Sequence, residues 1–336
     1  MTLPGSHRRP TGRVGLVVNP TAGTGRGGKV RDRVLGGLAA AGLRAVDLSG
    51  ADLDSAVARA RSGLAQGLDA LVVVGGDGMA HLGVNVVAGT GVPLGIVAVG
   101  SGNDVARDLA LPVHDVDASV AVIRDGLAAA AWSASPTPGG PPAGAAGTRM
   151  LDAVAVSRPG ELPDHWYLAV FSCGIDAAVN DRANRMTWPP GGGRYVRALL
   201  AELGSFEPYG YRVTMDGEVW EGPGTLVAVA NIRRFGGGMH IAPDAEPDDG
   251  LLDVVIADGL TRSELLRIFP RVYRGTHLSH PAVHVRRARS VLVEPLPSAG
   301  GEPPVAFADG ERLDALPLQC DLHPRAVGVL ARTLGG

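Results

Sequence analysis

Residues 70–78 read ALVVVGGDG, and residues 94–104 read LGIVAVGSGND. Each is a strand-length apolar run, free of charge, that stops at a glycine loop carrying one carboxylate. A continuous Val/Leu/Ile run of this length fits a strand buried on both faces, as in a parallel sheet. Working outward, residues 14–18 form a similar run stopped by Asn19-Pro20, and residues 45–48 a shorter one. Between these runs Val30, Val34, Leu35, Leu38 and Ala41, then Leu53, Val57, Ala60 and Leu64, recur at helical spacing. Strands alternating with amphipathic helices, with glycine at the strand ends, predict an α/β unit with a parallel sheet. Ligands of such sheets lie beyond the carboxyl ends of the strands, where these loops fall.

The pattern changes after about residue 130. Residues 133–148 (SASPTPGGPPAGAAGT) have no apolar periodicity and predict a flexible loop. Short β-type runs follow at 151–156, 166–171, 211–215, 225–230, 252–256, 283–285 and 291–293, parted by turns such as Asp216-Gly217. Helices are expected near 195–203 and 261–273, the second opening with the capping-box pattern Thr261-x-x-Glu264. Many short strands with turn signals predict a second, antiparallel β-rich domain.

Composition removes other classes. Of 336 residues, 45% are hydrophobic and 19% charged, with a formal net charge of −3. That is too apolar for a disordered chain and too acidic for a protein that neutralises nucleic-acid phosphates. Cys173 and Cys320 lie far apart and in no CxxC, so neither a disulfide framework nor a zinc site is encoded. No apolar run approaches the ~20 residues needed to span a bilayer. A cytoplasmic protein is expected, at most visiting the membrane surface.

The first glycine loop, residues 19–29 (NPTAGTGRGGK), matches parts of two phosphate-binding fingerprints and neither in full. Gly23-x-Gly25-x-x-Gly28 with Asp47 mimics the dinucleotide turn, but four residues part it from its strand. In the P-loop reading Val30 stands where a magnesium-binding hydroxyl belongs. What survives is a strand-to-helix loop offering amides and Lys29 to an anion. Gly75-Gly76-Asp77-Gly78 places a carboxylate among amides, fitting a divalent cation or a ribose hydroxyl, or a plain turn. Gly100-Ser101-Gly102-Asn103-Asp104 repeats that chemistry one strand later, with a helix cap as the plain alternative. Asp244, Glu246, Asp248 and Asp249 form an acidic turn that fails the EF-hand pattern yet could hold one hard cation through Asp249 and carbonyls. Asp309-Gly310-Glu311 puts two carboxylates two residues apart, on one face if extended, or in a hairpin turn. Paired carboxylates suit a metal ligand beside a general base.

Taken in order, NPTAG, GGDG, GSGND, GGG (residues 236–238), IAPDAEPDDGLLDV and DGE resemble the bacterial diacylglycerol kinase family of lipid kinases, over residues 13–329. Its superfamily includes sphingosine kinases and NAD kinases. The resemblance implies an α/β nucleotide domain over 11–132, completed by 322–336, and a lipid-substrate β-sandwich over 149–321, with the active site between them. ATP and Mg2+ are the implied cofactors. Asn19, Pro20, Thr21, Ala22, Gly23, Gly75, Gly76, Asp77, Gly78 and Ser101 would line the ATP site, with Gly102, Asn103, Lys29 and Arg197 nearby. Glu311 would take the proton, with Asp309, Asp104 and Asp152 also in the catalytic set. Asp77 would help hold the nucleotide's magnesium. Asp249, with the carbonyls of Glu246 and Leu251, matches a structural magnesium site. The sequence departs from the family after GGDG, where Met79, Ala80, His81 and Leu82 replace the usual Thr-Leu-Asn-Glu.

The expected reaction is phosphorylation of diacylglycerol to phosphatidic acid. A sphingoid base or NAD as acceptor, or nucleotide binding without catalysis, are the alternatives. The expected partners are a diacylglycerol-like lipid and, transiently, the inner face of the membrane, without nucleic acid and with a homodimer left open. Arg267, Arg271 and Arg274 recur along one helix with Phe269 and Tyr273 between them, and Arg286, Arg287 and Arg289 follow. They read as a solvated basic face or as a patch for anionic lipid.

Overall fold

The computed structural model describes residues 11–19, 27–133, 147–186, 188, 193–203 and 206–332. The chain divides into two units, Met1–Leu151 with Arg325–Gly336, and Asp152–Pro324. In the first unit β1 (Arg13–Val18), α1 (Gly27–Ala40), β2 (Arg44–Asp47), α2 (Leu53–Ala65), β3 (Ala70–Gly75), α3 (Asp77–Val87) and β4 (Leu94–Ala98) alternate. The short α4 (Asp104–Asp108) and then α5 (Val116–Ser133) follow.

The four strands are parallel in the order β4-β3-β1-β2, with Val14 beside Ala70 and Leu71 beside Leu94. Every residue of β3 and β4 is buried, which is why their sequences are continuous rather than alternating. The pleat sends Val14, Leu16, Val18, Val72, Val74 and Val97 into one core with Val34 and Leu38 of α1 and Val120 and Ile123 of α5. Each such fully buried side chain contributes roughly 1.5–3 kcal/mol. On α3, Gly83 comes so close to the sheet that a Cβ there would lie 2.5 Å from the Leu94 side chain. Because β2 and β3 flank β1 on opposite sides, the winding reverses between β1 and β3. The carboxyl ends of that pair, Asn19 and Gly75-Gly76, mark the switch point at which open α/β sheets take ligands.

The second unit begins within β5 (Thr148–Ser157) and continues through β6 (His165–Tyr167), β7 (Val170–Gly174), α6 (Ile175–Arg185), α7 (Gly193–Leu203), β8 (Tyr209–Met215) and β9 (Glu218–Ala230). After these come β10 (Leu252–Asp258), α8 (Arg262–Val272), β11 (Val283–Ala288), β12 (Ser290–Leu296), β13 (Phe307–Ala308), β14 (Glu311–Arg312) and β15 (Leu318–Leu330). Its pairings are antiparallel. The first half of β9 runs back along β8 across Asp216-Gly217, whose φ values of 47° and 93° make the hairpin turn the sequence predicts. Its second half lies between β7 and β10. Tyr167, Phe171, Val213, Val227, Val229, Val254, Ile256, Val291 and Val293 form the core. The last residues of β15 belong to the first unit, where Val329 sits beside Leu94 as a further parallel strand.

Two expectations change in detail. The single run expected over 166–171 is two strands, β6 and β7, because the amides of Leu168 and Ala169 bond to a distant carboxylate instead of a neighbouring strand. Helix α6 follows β7 directly, where no helix is expected from the sequence. Residues 134–146, most of the expected flexible loop, lie outside the described residues.

Candidate functional site

In the first unit the loops after β3 and β4 are built against each other. A Cβ at Gly100 would collide with the backbone of Gly76, so the two glycines let the loops touch backbone to backbone. The Gly100 amide donates to Gly75 O at 3.1 Å and to Asn103 Oδ1 at 3.0 Å, and Asn103 Nδ2 returns to Gly100 O at 2.6 Å. Asn103 holds a left-handed backbone (φ 58°) to do this, a conformation asparagine tolerates. Asn19 closes the switch point from the β1 side, its amide donating to Val74 O at 3.0 Å. The loops therefore form one hydrogen-bonded rim.

On that rim Asp77 opens α3 and its Oδ1 accepts the Val105 amide at 3.3 Å, tying it to the start of α4. Asp104 is buried in the first turn of α4, and Ser101 stands exposed. Lys29 is exposed in the first turn of α1, which carries no acidic residue. A cation at a helix N-terminus is unfavourable by itself and favourable once an anion joins it. Pro20, Thr21, Ala22 and Gly23 lie outside the described residues. Of the departures, Met79 is buried and its side chain lies where a Cβ on Gly75 would be, so this methionine fits only over glycine. Leu82 is buried on the same helix.

In the second unit Asp309 and Glu311 do not share the face of an extended segment. Asp309 (φ 53°) and Gly310 (φ 85°) are the two turn residues of a hairpin, with Ala308 facing Glu311. The turn aims Asp309 inward. Its carboxylate accepts the amides of Ala169 at 2.8 Å, Leu168 at 3.1 Å and Val170 at 3.3 Å, and its own amide donates to Val170 O at 3.1 Å. Asn231, fully buried, joins this loop to β5 by donating to Leu168 O at 2.9 Å and Asp152 O at 3.0 Å. Asp152 Oδ2 in turn accepts the Gly250 amide at 2.8 Å. Asp309 and Asp152 thus position backbone. Glu311 differs: it is half-buried, and its side chain has no hydrogen bond or ion pair to any described residue. Arg197 donates to Trp188 O at 3.0 Å and lies 5.6 Å from the centre of that indole.

The acidic turn is closed by arginine. Asp249 is paired with the Arg287 guanidinium, and its Oδ1 accepts the Leu251 amide at 3.0 Å. Asp253 lies 3.9 Å from the same guanidinium, and burial lifts its carboxyl above the usual range against the pull of Arg287. Arg289 donates to Gly250 O at 3.3 Å. The charge a cation would bring here is already supplied by Arg287, so as arranged these residues do not fit a structural magnesium ion. The rim of the first unit fits magnesium differently. No cluster of three metal-ligating side chains exists among the described residues. Mg2+ ordinarily needs only one or two carboxylates when nucleotide phosphates complete its shell, and Asp77 and Asp104 offer those.

Sequence reasoning passed over one group. Asp176, in the first turn of α6, is driven up to about 6 by burial. The Ser172 hydroxyl and the amides of Asp176 and Ala177 favour its ionised form without closing a hydrogen bond of ordinary geometry. An acid flanked by apolar positions in a short polar helix gives no periodic signal of its own.

A doubly wound sheet with glycine loops at its switch point, followed by an antiparallel sandwich with a carboxylate unpaired among the described residues, suits a nucleotide-dependent phosphotransferase. Residues 13–132 match the diacylglycerol kinase catalytic domain, and residues 169–331 match the YegS C-terminal NAD kinase beta sandwich-like domain. A diacylglycerol kinase of Mycobacterium tuberculosis is 35% identical over 324 residues, 96% of each chain. Human sphingosine kinase 2 is 33% identical over 126 residues, 37% of this chain and 18% of that protein. A crystal structure of a Bacillus anthracis diacylglycerol kinase superposes with a TM-score of 0.64 at 19% identity, covering 95% of this chain and 97% of the other. The chain belongs to the diacylglycerol kinase family. It is a kinase with an alcohol group as acceptor and ATP as phosphate donor.

Proposed function

We propose that the protein transfers the γ-phosphoryl group of ATP to the free hydroxyl of diacylglycerol, giving phosphatidic acid. The observation that carries the chemistry is the contrast inside Asp309-Gly310-Glu311. One carboxylate is fixed by three amides, and two residues away the other engages no side-chain partner among the described residues. A base that must accept an alcohol proton needs a carboxylate not already held by strong donors. The acceptor assignment draws on the full-length relatives, which carry the name diacylglycerol kinase.

Phosphoryl transfer asks the protein mainly for alignment and charge neutralisation. In this reading the linked loops after β3 and β4 and the amino end of α1, with Lys29, hold the triphosphate. Asp77 and Asp104 would hold magnesium, which would supply charge neutralisation to the phosphates. Asp309 and Asn231 fix the backbone of 168–170 and the hairpin, so that Glu311 is presented at a defined place. Glu311 takes the hydroxyl proton as the phosphorus–oxygen bond forms and ADP departs. Purified protein given radiolabelled ATP with diacylglycerol, sphingosine or NAD tests this directly. Label appearing in phosphatidic acid is the expected result. Label in the sphingoid or dinucleotide product reassigns the acceptor, and label in none of them refutes the proposal.

A further inference from the structure

Helix α8 has two apolar faces. Leu265 and Ile268 are buried on one, where the helix packs beside the 3-10 turn Thr276–Ser279. At about 100° per residue Leu266, Pro270 and Tyr273 lie roughly 110–170° round from that face, with the half-buried Phe269 between the two. Leu266 is 52% and Tyr273 48% exposed. The rings of Phe269 and Tyr273 meet edge to face at 5.8 Å, so this outer stripe is a set surface rather than a row of loose side chains.

Arginine outnumbers acid around the stripe. Arg262, Arg267 and Arg274 are exposed, and none forms an ion pair with any described residue. Glu264 is the one acid of residues 261–274, and it is held in the capping box by Thr261, whose amide donates to Glu264 Oε2 at 2.9 Å. Arg271, expected from its spacing to join the patch, instead reaches Thr276 O and Ser279 Oγ at 2.7 Å and braces the turn after the helix. Arg287 and Arg289 are engaged at the acidic turn. The patch is therefore narrower than its sequence implies, and it is apolar at the centre.

We propose that α8 is a membrane-docking helix. Its outer stripe enters the boundary between headgroups and acyl chains, and Arg262, Arg267 and Arg274 meet lipid phosphates. A solvent-exposed apolar row edged by guanidinium groups that outnumber the one nearby acid is complementary to an anionic lipid surface. It is poorly self-complementary: residues 261–274 hold four arginines and one acid, so the same surface on a second copy brings a net excess of like charge. The inference rests on the reading of the acceptor as a membrane lipid, and it states how the protein reaches that lipid.

The test uses the full chain with phosphatidylcholine vesicles, with and without phosphatidylglycerol, read by co-sedimentation. Binding should require the anionic lipid and fall with salt. Arg267→Gln and Arg274→Gln should each lower the partition about fivefold, the effect of one basic residue near an anionic surface. Leu266→Ser should lower it at every salt concentration. All three substitutions are on exposed side chains, and thermal melts confirm that each variant folds. Turnover of a monomeric short-chain diacylglycerol should be unchanged in each. Co-sedimentation is read without turnover, which separates the two readings. Vesicle binding as described without diacylglycerol kinase activity refutes the acceptor assignment and keeps the helix. Activity on the short-chain substrate with partition that ignores anionic lipid or these substitutions overturns the helix. So does a solution dimer that Leu266→Ser dissociates in a protein that binds no vesicles.

Discussion

Asp309→Asn separates a positioning carboxylate from a catalytic one. In the native turn two oxygens accept three amides, Ala169 at 2.8 Å and Val170 at 3.3 Å on Oδ1 and Leu168 at 3.1 Å on Oδ2. Asparagine keeps one acceptor oxygen and must direct its NH2 at the third amide, donor against donor. A hydrogen bond to a charged group is worth about 1.5–3 kcal/mol, and a buried donor left unpaired costs about 1–3 kcal/mol. The bond at 3.3 Å adds little, so the substitution should cost about 3–5 kcal/mol. That is a large share of a typical domain's ~5–15 kcal/mol and still leaves a folded protein at 25 °C. Urea unfolding followed through tryptophan fluorescence reads it, and the midpoint should fall with an unchanged slope. Asp309→Ala, which leaves all three amides bare, should be at least as damaging. If Asp309→Asn melts like the native protein and yet abolishes turnover, the positioning argument fails and this carboxylate acts on the substrate or on a metal.

Glu311→Gln should lower kcat by roughly 10²–10⁴-fold with little change in the KM for ATP and no loss of stability, since the side chain has no partner among the described residues; native-like turnover would move the base elsewhere. Asp176→Asn should stabilise the protein. Lifting a carboxyl from its ordinary 3.8 to about 6 corresponds to about 3 kcal/mol at most. The folded state holds the extra proton, so the gain should be absent below pH 3.8, grow through pH 6 and stay constant above it; a variant melting at or below the native temperature at pH 7.5 would contradict this. His277 is buried with its pKa held below the usual 6.5 by desolvation, its Nε2 lying 3.0 Å from Ile241 O. The unfolded chain takes up that proton first, so native stability should decline as pH drops below 6.5, and more steeply than in His277→Gln; parallel pH profiles would exclude the imidazole. At the acidic turn, magnesium should raise the melting temperature of Arg287→Ala, whose Asp249 and Asp253 have lost their counter-charge, and leave the native protein unmoved. A magnesium response in the native protein would restore the cation expected there.

The first unit is legible because its signals are local. Four apolar runs end in glycine loops, and each run is long enough to decide its own conformation. Whether those loops form one rim depends on Gly76 meeting Gly100 and on Asp77 reaching the Val105 amide, contacts between segments that periodicity does not report. The second unit is less legible for the same reason. The break between β6 and β7 is caused by a carboxylate about 140 positions later, and nothing near residue 168 encodes it. Helix α6 (IDAAVNDRANR) is too polar to show a stripe, although its acidic first turn and basic last turn suit a helix. The late strand β15 carries polar residues and Pro324 where a buried strand should alternate. Spacing leaves an extended segment and a hairpin turn both open for Asp309 and Glu311, and the left-handed backbone at Asp309 decides for the turn and sends the two carboxylates in different directions. The acidic turn showed its carboxylates but not Arg287, which comes from another strand.

The return of the chain to its first unit sets a timetable for synthesis. The ribosome finishes residues 13–151 long before it reaches Val329, the residue that lies beside Leu94 on the outer side of β4. At elongation rates of about 5–20 residues per second, that side of β4 waits on the order of ten to fifty seconds for its neighbour. During the wait LGIVA is a buried-type strand whose hydrogen-bonding edge is open up to Ala98, which takes the His114 amide, the kind of segment that pairs with other nascent chains. Any truncation that ends before β15 makes the wait permanent. Fragments of the nucleotide-binding half made alone should therefore aggregate through β4, and adding residues 325–332 back as a peptide or through a circular permutation should rescue their solubility.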